Sequence, residues 1–204
     1  MERREAVKYI SLLLGGALVG GDVFLSGCSN KSGIPQAWTA DDIAWLDEVA
    51  ETILPRTSTP GAKDAKVGQF MTVMVNDCYD AEDQKVFREG MKKLNDASDK
   101  KYEKDFMKIS AEQRQELLIA LDKEAKEFQK QVSDFNKAEN EKQKKDAAYV
   151  KQKKSPHYFT MMKQLTLLGF FTSKEGAKKA LRYEPVPGRF DGCLPYKKGD
   201  RAWA

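Results

Sequence analysis

Three cysteines and one histidine are the side chains with obvious nucleophilic or metal-binding capacity, and only Cys28 stands in a setting that assigns it a reaction. It closes Leu25-Ser26-Gly27-Cys28, at the end of a leader in which Arg3 and Arg4 precede an apolar, glycine-rich stretch from Tyr9 to Phe24. A charged start, an apolar centre and small residues before the cut are the layout of an export signal, too short and too rich in glycine for a stable spanning helix. Leu-Ser-Gly-Cys has the form of a bacterial lipobox, in which the Cys28 thiol takes a diacylglycerol and becomes the mature N-terminus. The alternative is a buried cysteine at the end of a hydrophobic helix. Acyl chains at Cys28 would hold the chain on a membrane, since each buried methylene contributes about 0.8 kcal/mol. Residues 1–27 are therefore expected to be a cleaved signal and 28–37 a lipidated polar tether in the bacterial periplasm.

The rest of the chain offers little chemistry. In an oxidising periplasm Cys78 and Cys193 could form one disulfide worth about 2–4 kcal/mol, or remain two separate thiols. His157, next to Pro156, reads as an exposed first-turn residue without the partners a metal site needs. No GxGxxG opens a helix after a strand, and no CxxC or CxxCH occurs. Gly15 to Gly20 has the glycine spacing of a phosphate loop, but Gly21 and Asp22 stand where Lys and Ser or Thr are required. Carboxylates are plentiful, yet sequence alone pairs none of them for acid and base work. No catalytic, cofactor-binding or metal-ligating residue is expected. Lys and Arg number 35 against 31 Asp and Glu, a formal charge of +4, which is no argument for a nucleic-acid partner.

Helices must position whatever these residues do. Thr39 and Asp42 form a capping box ahead of Ile43, Leu46, Val49 and Ile53 at helical spacing, and Pro55 ends the run. A second helix is expected over Val67 to Cys78, and Asp80 caps a third carrying Phe87, Met91 and Leu94. Ser110 and Gln113 start a fourth with Leu117, Leu118 and Leu121 facing inward. From Lys123 to Lys154 the chain turns Lys- and Glu-rich; Phe128, Val132 and Phe135 extend the fourth helix, and 139–154 reads as an exposed helix end or loop. Ser155-Pro156 opens a fifth helix with proline at its first position and a buried stripe of Phe159, Met162, Leu165 and Leu168. The fold expected is all-α, one bundle-like domain over 38–204 with an irregular C-terminal wrap.

That wrap begins in LTLLGFFTSKEGAKKALRYEPVPGRFDGCLP, Leu165 to Pro195. The apolar run is expected to break at Gly169 and restart at a capping box of Thr172 and Glu175. Its aromatics are either core or a surface that a partner covers. The order GFFTS, short helix, LRYEPVPGRFDGC resembles the gluconate 2-dehydrogenase subunit 3 family, and Glu51-Thr52-Ile53-Leu54-Pro55 with Thr59-Pro60-Gly61-Ala62 is similar to that family's first helix and turn. The likeness runs from Trp38 to Tyr196, with the charged middle excepted. It implies a non-catalytic small subunit bound to an FAD-dependent dehydrogenase large subunit of the glucose-methanol-choline type. That large subunit would hold the flavin, oxidise a sugar or sugar acid and pass electrons to a cytochrome c. On this reading Phe170, Phe171, Arg182, Tyr183, Pro187, Arg189, Phe190 and Asp191 form the partner interface. Glu2-Arg3-Arg4-Glu5 is similar to a twin-arginine signal, though without Ser or Thr before the pair, so the leader could carry a folded flavoprotein outward; the general secretory route is the alternative. A stand-alone binding lipoprotein, or an enzyme whose site assembles only in the fold, are the other readings.

Overall fold

The computed structural model describes residues 37–186, 188, 192–195 and 197–203. Among these the chain forms five α-helices: α1 (Ala40–Ile53), α2 (Val67–Cys78), α3 (Ala81–Tyr102), α4 (Ala111–Lys145) and α5 (Tyr158–Phe171). A 3-10 turn at Phe106–Lys108 lies between α3 and α4, and a π-helical turn at Gly176–Ala180 follows α5. The only β pairing among the described residues is an isolated bridge between Arg182 and Trp203, so the domain is all-α.

The helix starts follow from their caps. Thr39 accepts the Asp42 amide at 3.1 Å while Asp42 accepts the Thr39 amide at 2.9 Å, and Ser110 and Gln113 do the same for α4. Asp80 accepts the Asp83 amide at 2.9 Å to start α3. The start of α2 is capped from outside: Lys66 sits in the left-handed region, and Asp47 of α1 accepts the Gly68 amide at 2.7 Å. Half-burial there raises the Asp47 pKa, opposed by that amide.

α5 is the central helix and touches the other four. Tyr158, Phe159, Met161, Met162, Leu165, Thr166, Gly169 and Phe170 are all buried and share one broad face of the helix, with Gln164, Leu167 and Phe171 on the other. Leu168, expected inside, is 46% exposed. Gly169 does not break the helix. It lets α2 approach, because a Cβ there would come within 2.5 Å of the Phe70 ring. Around α5 pack Leu46 and Val49 of α1, Met71 and Val75 of α2, Phe87 and Leu94 of α3, and Leu117, Leu118 and Leu121 of α4. Trp45 joins three elements, its indole N–H donating to Asn95 at 2.9 Å and its ring tilted against Phe106 at 5.5 Å. Arg114 of α4 bonds the Phe106 carbonyl at 3.1 Å and pairs with Glu48 of α1.

Two further expectations need correction. Pro156 precedes the cap of α5 instead of occupying its first turn. His157 is the N-cap, its Nδ1 accepting the Phe159 amide at 3.2 Å, and it is buried. The charged segment is the exposed helix end and loop expected, with α4 running to Lys145 and residues 140–153 exposed apart from Tyr149, but the loop folds back onto a buried Glu139. There the Glu139 carboxylate, only 2% exposed, accepts from Lys142 at 2.7 Å, the Tyr149 hydroxyl at 2.9 Å and the Gln152 amide at 2.8 Å. Lys153 then ties the loop to Asp80 and Asp83 at the start of α3.

Candidate functional site

The segment after α5 is held by hydrogen bonds from small polar side chains. Thr172 is the C-cap of α5, its hydroxyl donating to the Leu168 carbonyl at 2.6 Å, so it does not start the next helix. Ser173 takes that role, accepting the Gly176 amide at 3.0 Å. Gly176 is required by crowding: a Cβ would fall 2.0 Å from the Phe170 carbonyl oxygen. The π turn closes with the Leu181 amide on the Gly176 carbonyl at 2.8 Å, and the chain then extends.

Extension lets the C-terminus pair with it. The Arg182 amide donates to the Ala202 carbonyl at 2.8 Å, and the Arg182 guanidinium lies 4.1 Å over the Trp203 ring, a cation–π contact. Lys178 stands 5.6 Å from the Tyr183 ring. Between them lies an open cavity of about 330 Å³ lined by Lys178, Leu181, Arg182, Tyr183, Asp200 and Arg201.

Apolar side chains are unusually exposed in this part of the chain. Leu167, Leu168 and Phe171 share the outward edge of α5, and Tyr183, Val186, Leu194 and Trp203 are exposed along the wrap. Scattered surface hydrophobics are ordinary, but most of the large exposed ones among the described residues come from 167–203. Aromatic rings and arginine are the groups that carry most binding energy when a partner desolvates them.

Of the residues expected at an interface, Phe171, Arg182 and Tyr183 are exposed. Phe170 is 4% exposed and belongs to the core; its ring meets Phe171 edge-on at 5.1 Å and supports the surface from beneath. Pro187, Arg189, Phe190 and Asp191 lie outside the described residues, as do Arg3, Arg4 and Cys28. Cys78 and Cys193 are both exposed and are not joined in a disulfide. Sequence reasoning missed Trp203, although a lone indole in a tail rich in Lys, Arg and Gly was a signal. It also missed the pairing of that indole with Arg182, which only the fold reveals.

Among the described residues no group of three or more His, Cys, Asp or Glu could hold a metal ion, and no helix is long and apolar enough to cross a membrane. No curated protein and no solved structure matches the chain. A family model does, that of gluconate 2-dehydrogenase subunit 3, and it covers residues 40–188. Its span takes in all five helices, the π turn and the extension through Tyr183, and so most of the chain. The protein belongs to the gluconate 2-dehydrogenase subunit 3 family.

Proposed function

We propose that this chain is the non-catalytic, lipid-anchored small subunit of a periplasmic sugar or sugar-acid dehydrogenase. Its partner is an FAD-dependent large subunit of the glucose-methanol-choline type. The observation that carries the reading is the family match over 40–188, because a third subunit implies a complex in which another chain oxidises the substrate. The exposed rings and arginine of Phe171, Arg182, Tyr183 and Trp203 support it as a surface that such a partner would desolvate. The flavin of the large subunit takes two electrons from the sugar, and a cytochrome c receives them.

The leader gives the small subunit two further tasks. Arg3 and Arg4 open a twin-arginine-like signal that carries the folded, flavin-loaded partner outward, and Cys28 takes the lipid that keeps the complex on the membrane. Two substitutions separate these tasks. Changing Arg3 and Arg4 to Lys should leave the flavoprotein in the cytoplasm, and Cys28→Ala should release the exported complex from the membrane fraction. Cell fractionation with a flavin assay reads both. A flavoprotein that still reaches the periplasm beside the Arg3→Lys, Arg4→Lys chain refutes the carrier role.

A further inference from the structure

A separate cavity of about 500 Å³ lies where α5 begins, between α3 and α4. Its walls are mostly apolar: Val86 and Ala97 come from α3, Leu121 and Phe128 from α4. The His157 ring stands 5.7 Å from that of Phe128 and 4.3 Å from that of Tyr158, so a row of three rings borders the space. Cavities of this size with aromatic walls and a few polar groups are the usual form of a small-molecule site.

The polar groups are mostly donors. Ser155 is 8% exposed, and its buried hydroxyl has no hydrogen-bond partner among the described residues. A buried hydroxyl left unbonded costs roughly 1–3 kcal/mol, so one that lines a cavity calls for an explanation. His157 supplies the second donor. Its Nδ1 accepts the Phe159 amide, which leaves the proton of the neutral ring on Nε2. The nearest carboxylate oxygen, on Glu124, is 3.6 Å from Nε2, too far for a good hydrogen bond. Burial lowers the imidazole pKa, opposed by Glu124, so the ring is neutral at pH 7.

Charge points the same way. Lys93 lines the cavity, Lys154 stands 5.1 Å from the Phe128 ring, and α5 presents its N-terminal end. Glu124 opposes them, but its side chain is 68% exposed and water screens it. Two donors lacking good acceptors, a lysine and aromatic walls select a flat apolar body that ends in an anionic acceptor.

We propose that this cavity binds a small aromatic carboxylate, with its ring against Phe128 and His157 and its carboxylate accepting from the Ser155 hydroxyl and His157 Nε2–H. The site is independent of the partner surface and of the reading given to it.

Calorimetric titration of the full chain in detergent with naphthoate, and with naphthamide as the uncharged analogue, tests the proposal. Naphthoate should saturate one site, and naphthamide should bind about tenfold more weakly for want of the charge. Ser155→Ala, which removes only the orphaned hydroxyl and should keep the fold, should weaken naphthoate by about tenfold. Lys93→Ala, an exposed change that carries no folding risk, should weaken it several-fold. No saturable binding up to about 10 mM overturns the site. Equal affinity for naphthoate and naphthamide overturns the carboxylate class, and unchanged affinity in both variants overturns the assigned contacts.

Discussion

Gly90 marks the closest approach of α3 to α5. A Cβ there would sit 2.4 Å from the Tyr158 Cβ and Cγ, atoms too near the backbone to swing away. Gly90→Ala should therefore destabilise the domain by about 1–3 kcal/mol, despite the higher helix propensity of alanine. Urea unfolding would report it as a lower midpoint at unchanged slope. The exposed rings behave oppositely. Tyr183 and Trp203 are about half exposed, so replacing either by Ala should move stability by no more than about 0.5–1 kcal/mol, the worth of a surface cation–π contact. Any large effect of these two on the complex is then a binding effect. An arginine stacked on Trp203 is already oriented, so less side-chain entropy is lost when a partner's carboxylate arrives.

Among the elements, the loop after α4 has the clearest chemical control. Its Glu139 carboxylate is held down to a pKa of about 2, first by the Lys142 ammonium and then by the Gln152 amide, with Tyr149 adding a third donor. A carboxyl whose folded pKa lies below its ordinary value of 4.5 contributes stability that is complete above the ordinary value. That contribution is lost as pH falls from the ordinary value through the folded one. Hydrogen exchange at the Gln152 amide should thus stay protected at pH 6 and rise, relative to its intrinsic rate, by about tenfold as the carboxyl protonates. Glu139→Gln should lose much of the protection at neutral pH. The same loop explains what the sequence could and could not convey. Capping boxes at Thr39 and Ser110 and the apolar spacing of Leu46, Met91 and Leu117 are local signals, and they located α1 to α4. Glu139 and His157 were misread as exposed because their partners, Gln152 and Phe128, become neighbours only after the chain folds back. Gly169 read as a break because sequence cannot reveal the Phe70 ring that needs its missing side chain. Of the exposed surface proposed to meet the partner, Phe171, Arg182 and Tyr183 were legible from the aromatic run and the family resemblance, while the closing contact of Trp203 was not.

At the scale of the whole molecule, the proposed function would divide labour within one chain: a helical scaffold presents an exposed aromatic surface, and the leader would supply export and a lipid. The core built around α5 leaves Leu167, Leu168 and Phe171 partly exposed at its outward edge, with about two-fifths of each in solvent. Apolar area left uncovered in this way is what an obligate partner would remove from water. The decisive measurement is affinity purification of this chain from cells that co-express the flavoprotein, read as flavin absorbance and sugar-dependent dye reduction. The account predicts both signals in the eluate of the native chain, neither from the chain expressed alone, and loss of both when Tyr183 and Trp203 are changed together to Ala. Flavin or turnover in the chain expressed alone, or full retention of the flavoprotein by the double variant, would contradict it.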